Sequence, residues 1–188
     1  MNRSILALFL TVALMASGLV SAKSVSGVEI PDTLTVAGQE LVLNGAGLRK
    51  KLFIKLYVGG LYLPQPSSDA EGIIAEAGPM AISMHIKSDL LTKKKLLAAL
   101  EDGMKNSTGG NTAPIQTELD QLKSLFKDSV RPGDVIVLAF DGVGTDVILN
   151  GESLDVIDGL PFKQALFGVW LSAKPAQASL KKAMLGGQ

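Results

Sequence analysis

The chain of 188 residues contains no cysteine and a single histidine, His85. The lack of thiols excludes a disulfide framework, thiolate metal sites, iron–sulfur clusters and a cysteine nucleophile. The acidic residues at predicted turns and strand ends, Asp32, Asp134, Asp141 and Asp146, stand singly rather than at metal-ligand spacing. We therefore predict no metal ion and no cofactor, and we interpret His85 as an ordinary strand residue rather than a general base.

The sequence also lacks an excess of either charge, with 18 basic and 18 acidic residues. Nucleic acids and anionic membrane surfaces attract chains with a clear positive excess. The balanced charge therefore argues against both as partners. Apolar residues make up 47% of the chain, which is typical of a globular domain rather than a disordered one.

Long apolar runs are absent except at the N-terminus. Arg3 supplies a short basic region, residues 5–16 form an apolar region of Leu, Ala, Val and Phe, and residues 20–22 are small enough to precede a cut before Lys23. This order of basic, apolar and small residues is typical of a secretory signal peptide.

A permanent membrane anchor is the alternative, and it needs roughly 18 or more uninterrupted apolar residues. Thr11, Ser17 and Gly18 interrupt this segment. We therefore predict a signal peptide over residues 1–22 and one mature domain over residues 23–188. The expected product is periplasmic or secreted, with no stable membrane insertion after cleavage.

The remaining sequence predicts an α+β domain with an antiparallel sheet covered on one face by helices. Short β-favouring runs bounded by turn residues predict two hairpins over 33–43 and 43–64, where Gly59-Gly60 indicates a bulge or bend. A capping box at Ser68–Glu71 predicts a helix start. Further strands are predicted over 80–86, 134–140, 145–149 and 152–157, and helices over 90–105, 112–127, 160–172 and 176–185.

Arginine is scarce, since Arg3, Arg49 and Arg131 are the only arginines among the 18 basic residues. Arg49 directly follows Gly45-Ala46-Gly47, and glycine permits close approach of backbone or ligand. A guanidinium suits a carboxylate because its planar fork donates two parallel hydrogen bonds. Arg49 is thus a candidate ligand-binding residue. The alternative is an arginine that caps a strand end and pairs with an acidic neighbour.

Two stretches carry a family resemblance: Leu43-Asn44-Gly45-Ala46-Gly47-Leu48-Arg49, and the strand Phe53-Ile54-Lys55-Leu56-Tyr57-Val58-Gly59-Gly60-Leu61-Tyr62-Leu63-Pro64. From about Gly27 onward the chain resembles the chalcone isomerase fold, specifically the bacterial chalcone isomerase-like proteins. The resemblance implies an open-faced β-sandwich. Members of this fold include both isomerases and non-catalytic fatty-acid binders, so fold alone does not decide function.

The resemblance implies a role for two residues. An arginine in the position of Arg49 lines the cleft in the isomerases and in the fatty-acid binders. The position of Tyr57 carries threonine in plant chalcone isomerases but tyrosine in the fatty-acid binders, where arginine and tyrosine together hold the carboxylate. Trp170, in an apolar stripe of the predicted helix 160–172, is expected in the core and as a further wall of the cleft.

Two departures from the plant enzymes weaken the isomerase interpretation. Plant enzymes bring a tyrosine and an asparagine from the helix that follows the 80–86 strand, whereas residues 91–100 contain no tyrosine. Asn106 near the end of that helix is interpreted as a cap, and Lys93–Lys95 as a solvated face. The segment between Arg49 and Phe53 is also shorter than in the plant enzymes.

Three functions remain open from the sequence. The favoured one is an exported, monomeric protein that binds a small amphipathic acid, such as a fatty acid, through Arg49, Tyr57 and Trp170. The second is an intramolecular lyase of the chalcone isomerase type, with Arg49 and Tyr57 as catalytic residues. The third is a structural or accessory protein with a vestigial cleft.

Overall fold

The computed structural model describes residues 22–126 and 129–187. Except for Ala22, the predicted signal peptide lies outside the described residues, and its cleavage stays a prediction. Within these ranges, no helix is long and apolar enough to cross a membrane.

The main feature of the fold is a seven-stranded antiparallel sheet in which strands adjacent in sequence are also adjacent in space. It is preceded by a separate hairpin of β1 (Ala22–Val25) and β2 (Val28–Pro31). The sheet contains β3 (Thr33–Val36), β4 (Gln39–Lys51), β5 (Ile54–Leu63), β6 (Met80–Ile86), β7 (Val135–Phe140), β8 (Gly144–Leu149) and β9 (Glu152–Asp158). The predicted α+β fold with an antiparallel sheet is confirmed.

The helices pack against one face of this sheet. They are α1 (Ala70–Ala75), α2 (Lys93–Ser107), α3 (Gln116–Leu125), α4 (Leu160–Leu171) and α5 (Ala178–Met184), with a 3-10 turn over Ala113–Ile115. The even-numbered residues of β6, such as Met84, join the helices in the larger core cluster. A smaller cluster on the opposite face includes Ile30 of the first hairpin. There the buried Tyr62 donates a hydrogen bond to the Pro31 carbonyl (3.0 Å), so this tyrosine is structural.

The glycine pair Gly59-Gly60 lies in a regular part of β5, where Gly59 faces α5 and Gly60 faces the other side of the sheet, toward Ser83. Both residues keep regular pairing with β4, and the register shifts fall at Leu43/Gly45 and Arg49/Lys50 instead. A Cβ atom on Gly59 would lie 3.6 Å from the Leu180 side chain of α5. The prediction of a bulge at this pair is therefore wrong.

The two glycines of the Gly45-Ala46-Gly47 run make room for α5. A Cβ atom on Gly47 would lie 2.7 Å from the Ala183 Cβ, and one on Gly45 would collide with the backbone of α5. The bulged Asn44 fixes the same helix, since its Nδ2 donates to the Met184 carbonyl (2.8 Å). Glycine in β4 thus allows α5 to lie directly on the sheet beside Arg49.

Helix α1 begins one residue later than the capping box predicts. Asp69, rather than Ser68, is the N-cap, and its carboxylate accepts a hydrogen bond from the Gly72 N–H (3.0 Å). The other end of this helix is capped by Lys163 of α4, which is fully buried. Its Nζ donates to the carbonyls of Ile73 (2.8 Å), Ile74 (3.0 Å) and Glu76 (2.7 Å).

Helix α2 is held close to α4 by glycine on both helices. A Cβ atom on Gly103 would lie 2.6 Å from Val169, and one on Gly168 would collide with the Ser107 side chain. This close crossing fixes α2 as a wall above the β4–β5 end of the sheet, where it encloses a cavity.

Candidate functional site

The candidate site is a cavity of about 620 Å³ between the β4–β5 hairpin, α2 and the α4–α5 connection. Its lining is mainly aliphatic, and the polar or charged members are few. The lining residues include Arg49, Lys51, Leu52, Ile54, Leu56, Tyr57, Met84, Leu90, Leu91, Lys95, Leu96, Leu100, Asp102, Gly103, Asn106, Val169 and Ala176. An apolar cavity with a few convergent polar groups is typical of a small-molecule site.

Arg49 and Tyr57 are direct cross-strand partners in the register of β4 and β5. Residues opposite each other in an antiparallel pair have Cβ atoms roughly 4.5–5.5 Å apart and project from the same face of the sheet. Both residues line the cavity. The structure thus brings together the two polar residues that the sequence singles out.

Arg49 is half-buried and is fixed by α5 rather than by an acid. Its Nη1 donates to the Lys50 carbonyl (2.8 Å) and to Oε1 of Gln177 (3.1 Å), and that oxygen also accepts from the Lys50 N–H (2.9 Å). Ion pairs join Lys123 to Glu101 and Asp120, and no acidic side chain of residues 22–126 and 129–187 pairs with Arg49. The alternative interpretation, an arginine paired with an acidic neighbour, is therefore not what these residues show.

Tyr57 is buried, with 6% of its surface exposed, and its hydroxyl accepts a hydrogen bond from Trp170 Nε1 (2.9 Å). Burial raises the pKa of Tyr57, while the Trp170 hydrogen bond and the charge of Arg49 oppose that rise. Tyr57 is therefore a neutral phenol at neutral pH.

The hydroxyl hydrogen of Tyr57 is available to a ligand. Both polar neighbours of the hydroxyl, the indole of Trp170 and the guanidinium of Arg49, can only donate. Among the residues that the structure describes, the hydroxyl donates to no protein acceptor. An oxygen acceptor in the cavity could take this hydrogen bond.

Trp170 lies in the core, as expected, but it does not form the expected further wall of the cavity. It is buried behind Tyr57 and does not belong to the described lining of the cavity. Its contact with the site runs through the hydrogen bond to the Tyr57 hydroxyl. We therefore assign Trp170 a positioning role, in place of the expected wall.

Sequence reasoning misplaced or missed two residues of the site. Asn106 lines the cavity instead of capping α2. The C-cap of α2 is Thr108, whose hydroxyl donates to the Met104 carbonyl (2.9 Å). The helical spacing of Asn106 from Ala99 and Gly103, which share the lining, could have indicated this. Gln177, which anchors Arg49, had no comparable signal in the sequence.

His85 lies on the face of the sheet opposite the cavity, paired with Val58 and Val135. Its Nε2 is buried and has no partner among the described residues, and burial lowers the pKa of His85. Its position excludes it as a base for a ligand in this cavity. Across the described chain, no group of three or more His, Asp and Glu side chains could hold a metal ion.

The arrangement is therefore an α+β domain with a mainly apolar cavity, in which the guanidinium of Arg49 lies beside the phenol of Tyr57. The chalcone isomerase-like family model matches residues 22–186, so the chain belongs to the chalcone isomerase-like family. Among curated proteins there is no match.

A solved structure with the same fold is the crystal structure of a fatty-acid binding protein from Arabidopsis thaliana. The two structures superpose with a TM-score of 0.68, and the match covers 85% of this chain and 92% of the plant chain. The sequences are 16% identical, so this likeness establishes the fold alone.

Proposed function

We propose that this protein is an exported carrier that binds a small amphipathic acid, such as a fatty acid, without chemical conversion. The observation that carries the proposal is the pair of donors in one apolar cavity: Arg49, which has no acidic partner in the described chain, and the Tyr57 hydroxyl, whose hydrogen has no acceptor there. A carboxylate would satisfy both groups.

The guanidinium of Arg49 has donors left for such a ligand. Of its five N–H groups, two are used on Lys50 and Gln177. Charge-assisted hydrogen bonds to a carboxylate are about twice as strong as neutral ones. The half-buried position of Arg49 strengthens them further, because charges interact more strongly where water is partly excluded.

The apolar lining suits the hydrocarbon part of the acid. The volume of about 620 Å³ lies within the roughly 300–1,000 Å³ typical of small-molecule sites. Each buried methylene group contributes about 0.8 kcal/mol, so chain length should set affinity while the carboxylate sets orientation. The fatty-acid binder of the same fold and the tyrosine at position 57 support this ligand class. The predicted signal peptide supports export.

Calorimetric titration with a long-chain fatty acid tests the site. We expect Arg49→Lys to weaken binding by about 1–3 kcal/mol, because a point charge replaces the planar fork. Arg131→Lys is the matched control, since Arg131 is an exposed arginine outside the cavity lining. The fatty alcohol of equal chain length should bind Arg49→Lys and the original protein alike.

Equal affinity of the fatty acid for Arg49→Lys and the original protein would show that Arg49 is structural or that the ligand is not an acid. Tyr57→Phe separates these outcomes, because it removes the hydroxyl and leaves the cation in place. If Tyr57→Phe weakens binding and Arg49→Lys does not, the ligand is a neutral acceptor rather than a carboxylate.

One observation favours an isomerase as second candidate. Asn106 reaches the cavity from α2, as the asparagine of plant chalcone isomerases is expected to do. The tyrosine that accompanies it in those enzymes has no counterpart in residues 91–100. A direct assay of cyclisation therefore decides between the two functions.

A further inference from the structure

The turn between β4 and β5 differs from the other two-residue hairpin turns of the molecule. Those turns are Ser26-Gly27, Ala37-Gly38 and Asn150-Gly151, and both residues of each have positive φ. Glycine is usual there because L side chains disfavour this conformation. The β4–β5 turn is instead Leu52-Phe53, and Leu52 has a φ of 55°.

Both side chains of this turn lie in solvent. Leu52 is 85% exposed and Phe53 is 100% exposed. Ile54 and Leu90 are also exposed large apolar residues, and both line the cavity mouth with Leu52. We call these four residues the apolar tip. The described chain has only two other exposed large apolar residues, Val143 and Val156.

Lysines surround the apolar tip. Residues 50–55 and 87–95 contain seven lysines and one acid, Asp89. Lys51 and Lys95 line the cavity, which places the two lysine-bearing segments at the same end of the molecule. The balanced charge of the whole sequence argued against an anionic membrane surface, but that average conceals this local excess.

We propose that the apolar tip docks on a lipid bilayer with anionic headgroups. Exposed Leu and Phe side chains would enter the boundary between headgroups and acyl chains, and the flanking lysines would contact the anionic headgroups. The contact is peripheral, through one hairpin, and differs from insertion of a helix.

Docking through the apolar tip would place the mouth of the cavity at the membrane surface. The cavity lining includes Leu52, Ile54 and Leu90 of the tip and the neighbouring Lys51. An amphipathic acid could then pass between bilayer and cavity without crossing water. This transfer step rests on the proposed function, whereas docking itself does not.

Cosedimentation with vesicles tests the docking. The protein is isolated from its own cells with any processing of the N-terminus complete, so that all variants share the same N-terminus. We expect binding to vesicles of two parts phosphatidylcholine and one part phosphatidylglycerol. Phe53→Ser should weaken this binding at least about tenfold, because one Phe side chain is no longer buried. Val143→Ser is the matched control, since it removes an exposed apolar side chain from the β7–β8 turn.

Three further variants separate apolar, electrostatic and folding effects. Leu52→Asn/Phe53→Gly imports the residues of the β8–β9 turn, which should keep the fold while abolishing binding. Lys50→Gln/Lys55→Gln should weaken binding about tenfold on the anionic vesicles and leave binding to pure phosphatidylcholine unchanged. In Phe53→Trp, the added indole should show a blue-shifted emission on docking, since the native Trp170 is already buried.

Failure of vesicle binding, or equal binding of Phe53→Ser, would overturn the docking. A dimer in sedimentation that Phe53→Ser abolishes, without vesicle binding, would assign the tip to a second copy instead. Titration of Phe53→Ser with fatty acid in the absence of vesicles tests the proposed function separately. Phe53 does not belong to the described cavity lining, so this substitution should leave fatty-acid affinity unchanged. Fatty-acid binding without docking removes only the membrane proposal, and docking without fatty-acid binding removes only the carrier.

Discussion

Lys163 is fully buried and Arg49 is half-buried, and the protein holds these two cations differently. Lys163 is 0% exposed, and its three N–H donors meet three backbone carbonyls. Its Nζ also lies 5.6 Å and 5.2 Å from the ring centroids of Phe140 and Phe167. Arg49 is half-buried, and two acceptors meet its five donors.

The difference separates a structural cation from one with capacity for a ligand. A buried charge is tolerated when its hydrogen-bonding groups are satisfied. Lys163 meets this condition inside the protein, where it supplies the donors that the C-terminal carbonyls of α1 lack. Only some of the donors of Arg49 have acceptors in the protein, and the remaining donors lie beside the cavity. An anion in the cavity would complete the environment of Arg49, whereas the three donors of Lys163 are already used by carbonyls.

Replacing each cation by methionine is the strongest test of this difference, because it compares their contributions to stability. We expect Lys163→Met to lower the free energy of unfolding by about 3 kcal/mol, because three buried carbonyls lose their donor. Arg49→Met should change it by less than about 1 kcal/mol, since its fixed partners lie near solvent. Urea denaturation of both variants measures the effect, with Lys105→Met as the control at an exposed lysine of α2. Similar losses at both cations would contradict the distinction.

A smaller effect is expected in the pH dependence of the free energy of unfolding, to which Lys163 contributes. Burial lowers the pKa of Lys163 from 10.5 to about 8, against the charge of Glu76, which raises it. Between these values the folded chain binds fewer protons than the unfolded chain, so the free energy of unfolding rises with pH and this gain is lost as pH falls through 8.

We therefore expect the stability difference between the original protein and Lys163→Met to grow by about 1 kcal/mol per pH unit from pH 8 to 10. Urea denaturation at half-unit pH steps measures it. Burial raises the pKa of Tyr57, and raises that of Tyr62 to about 12, but both tyrosines are present in both proteins and cancel. A difference that stays flat over this range would show that Lys163 keeps its proton throughout.

Local patterns in the sequence predicted the sheet well. Asn150-Gly151 has positive φ at both positions, as a two-residue hairpin turn requires, and the period-two pattern of residues 80–86 matches β6. The pairing of Arg49 with Tyr57 could not be predicted in this way, because the two-residue turn alone would place Arg49 opposite Leu56, and the register shift at Arg49/Lys50 is what places it opposite Tyr57.

Contacts between distant segments could not be predicted in the same way. Gln177 contacts Arg49 across 128 positions, and Lys163 caps α1 across about 90. Whether such residues contact each other depends on where the helices pack on the sheet. The local periodicity of the sequence does not determine that position. Gly59-Gly60 shows the same limit, because a glycine at a bulge and a glycine in a regularly paired strand look alike in sequence.

The last prediction is that the protein does not accelerate chalcone cyclisation. Arg49 can stabilise a developing oxyanion, and Asn106 can donate one hydrogen bond, but residues 91–100 provide no tyrosine to position the reacting ketone. The Tyr57 hydroxyl can still donate one hydrogen bond, but its ring is bulkier than the threonine that the resemblance places here in the plant enzymes. Progress curves at neutral pH with the original protein, Arg49→Ala and Asn106→Ala should match the spontaneous rate. Since loss of one oxyanion donor typically costs about a hundredfold or more in rate, an Arg49-dependent acceleration of that size would establish an isomerase and reject the carrier.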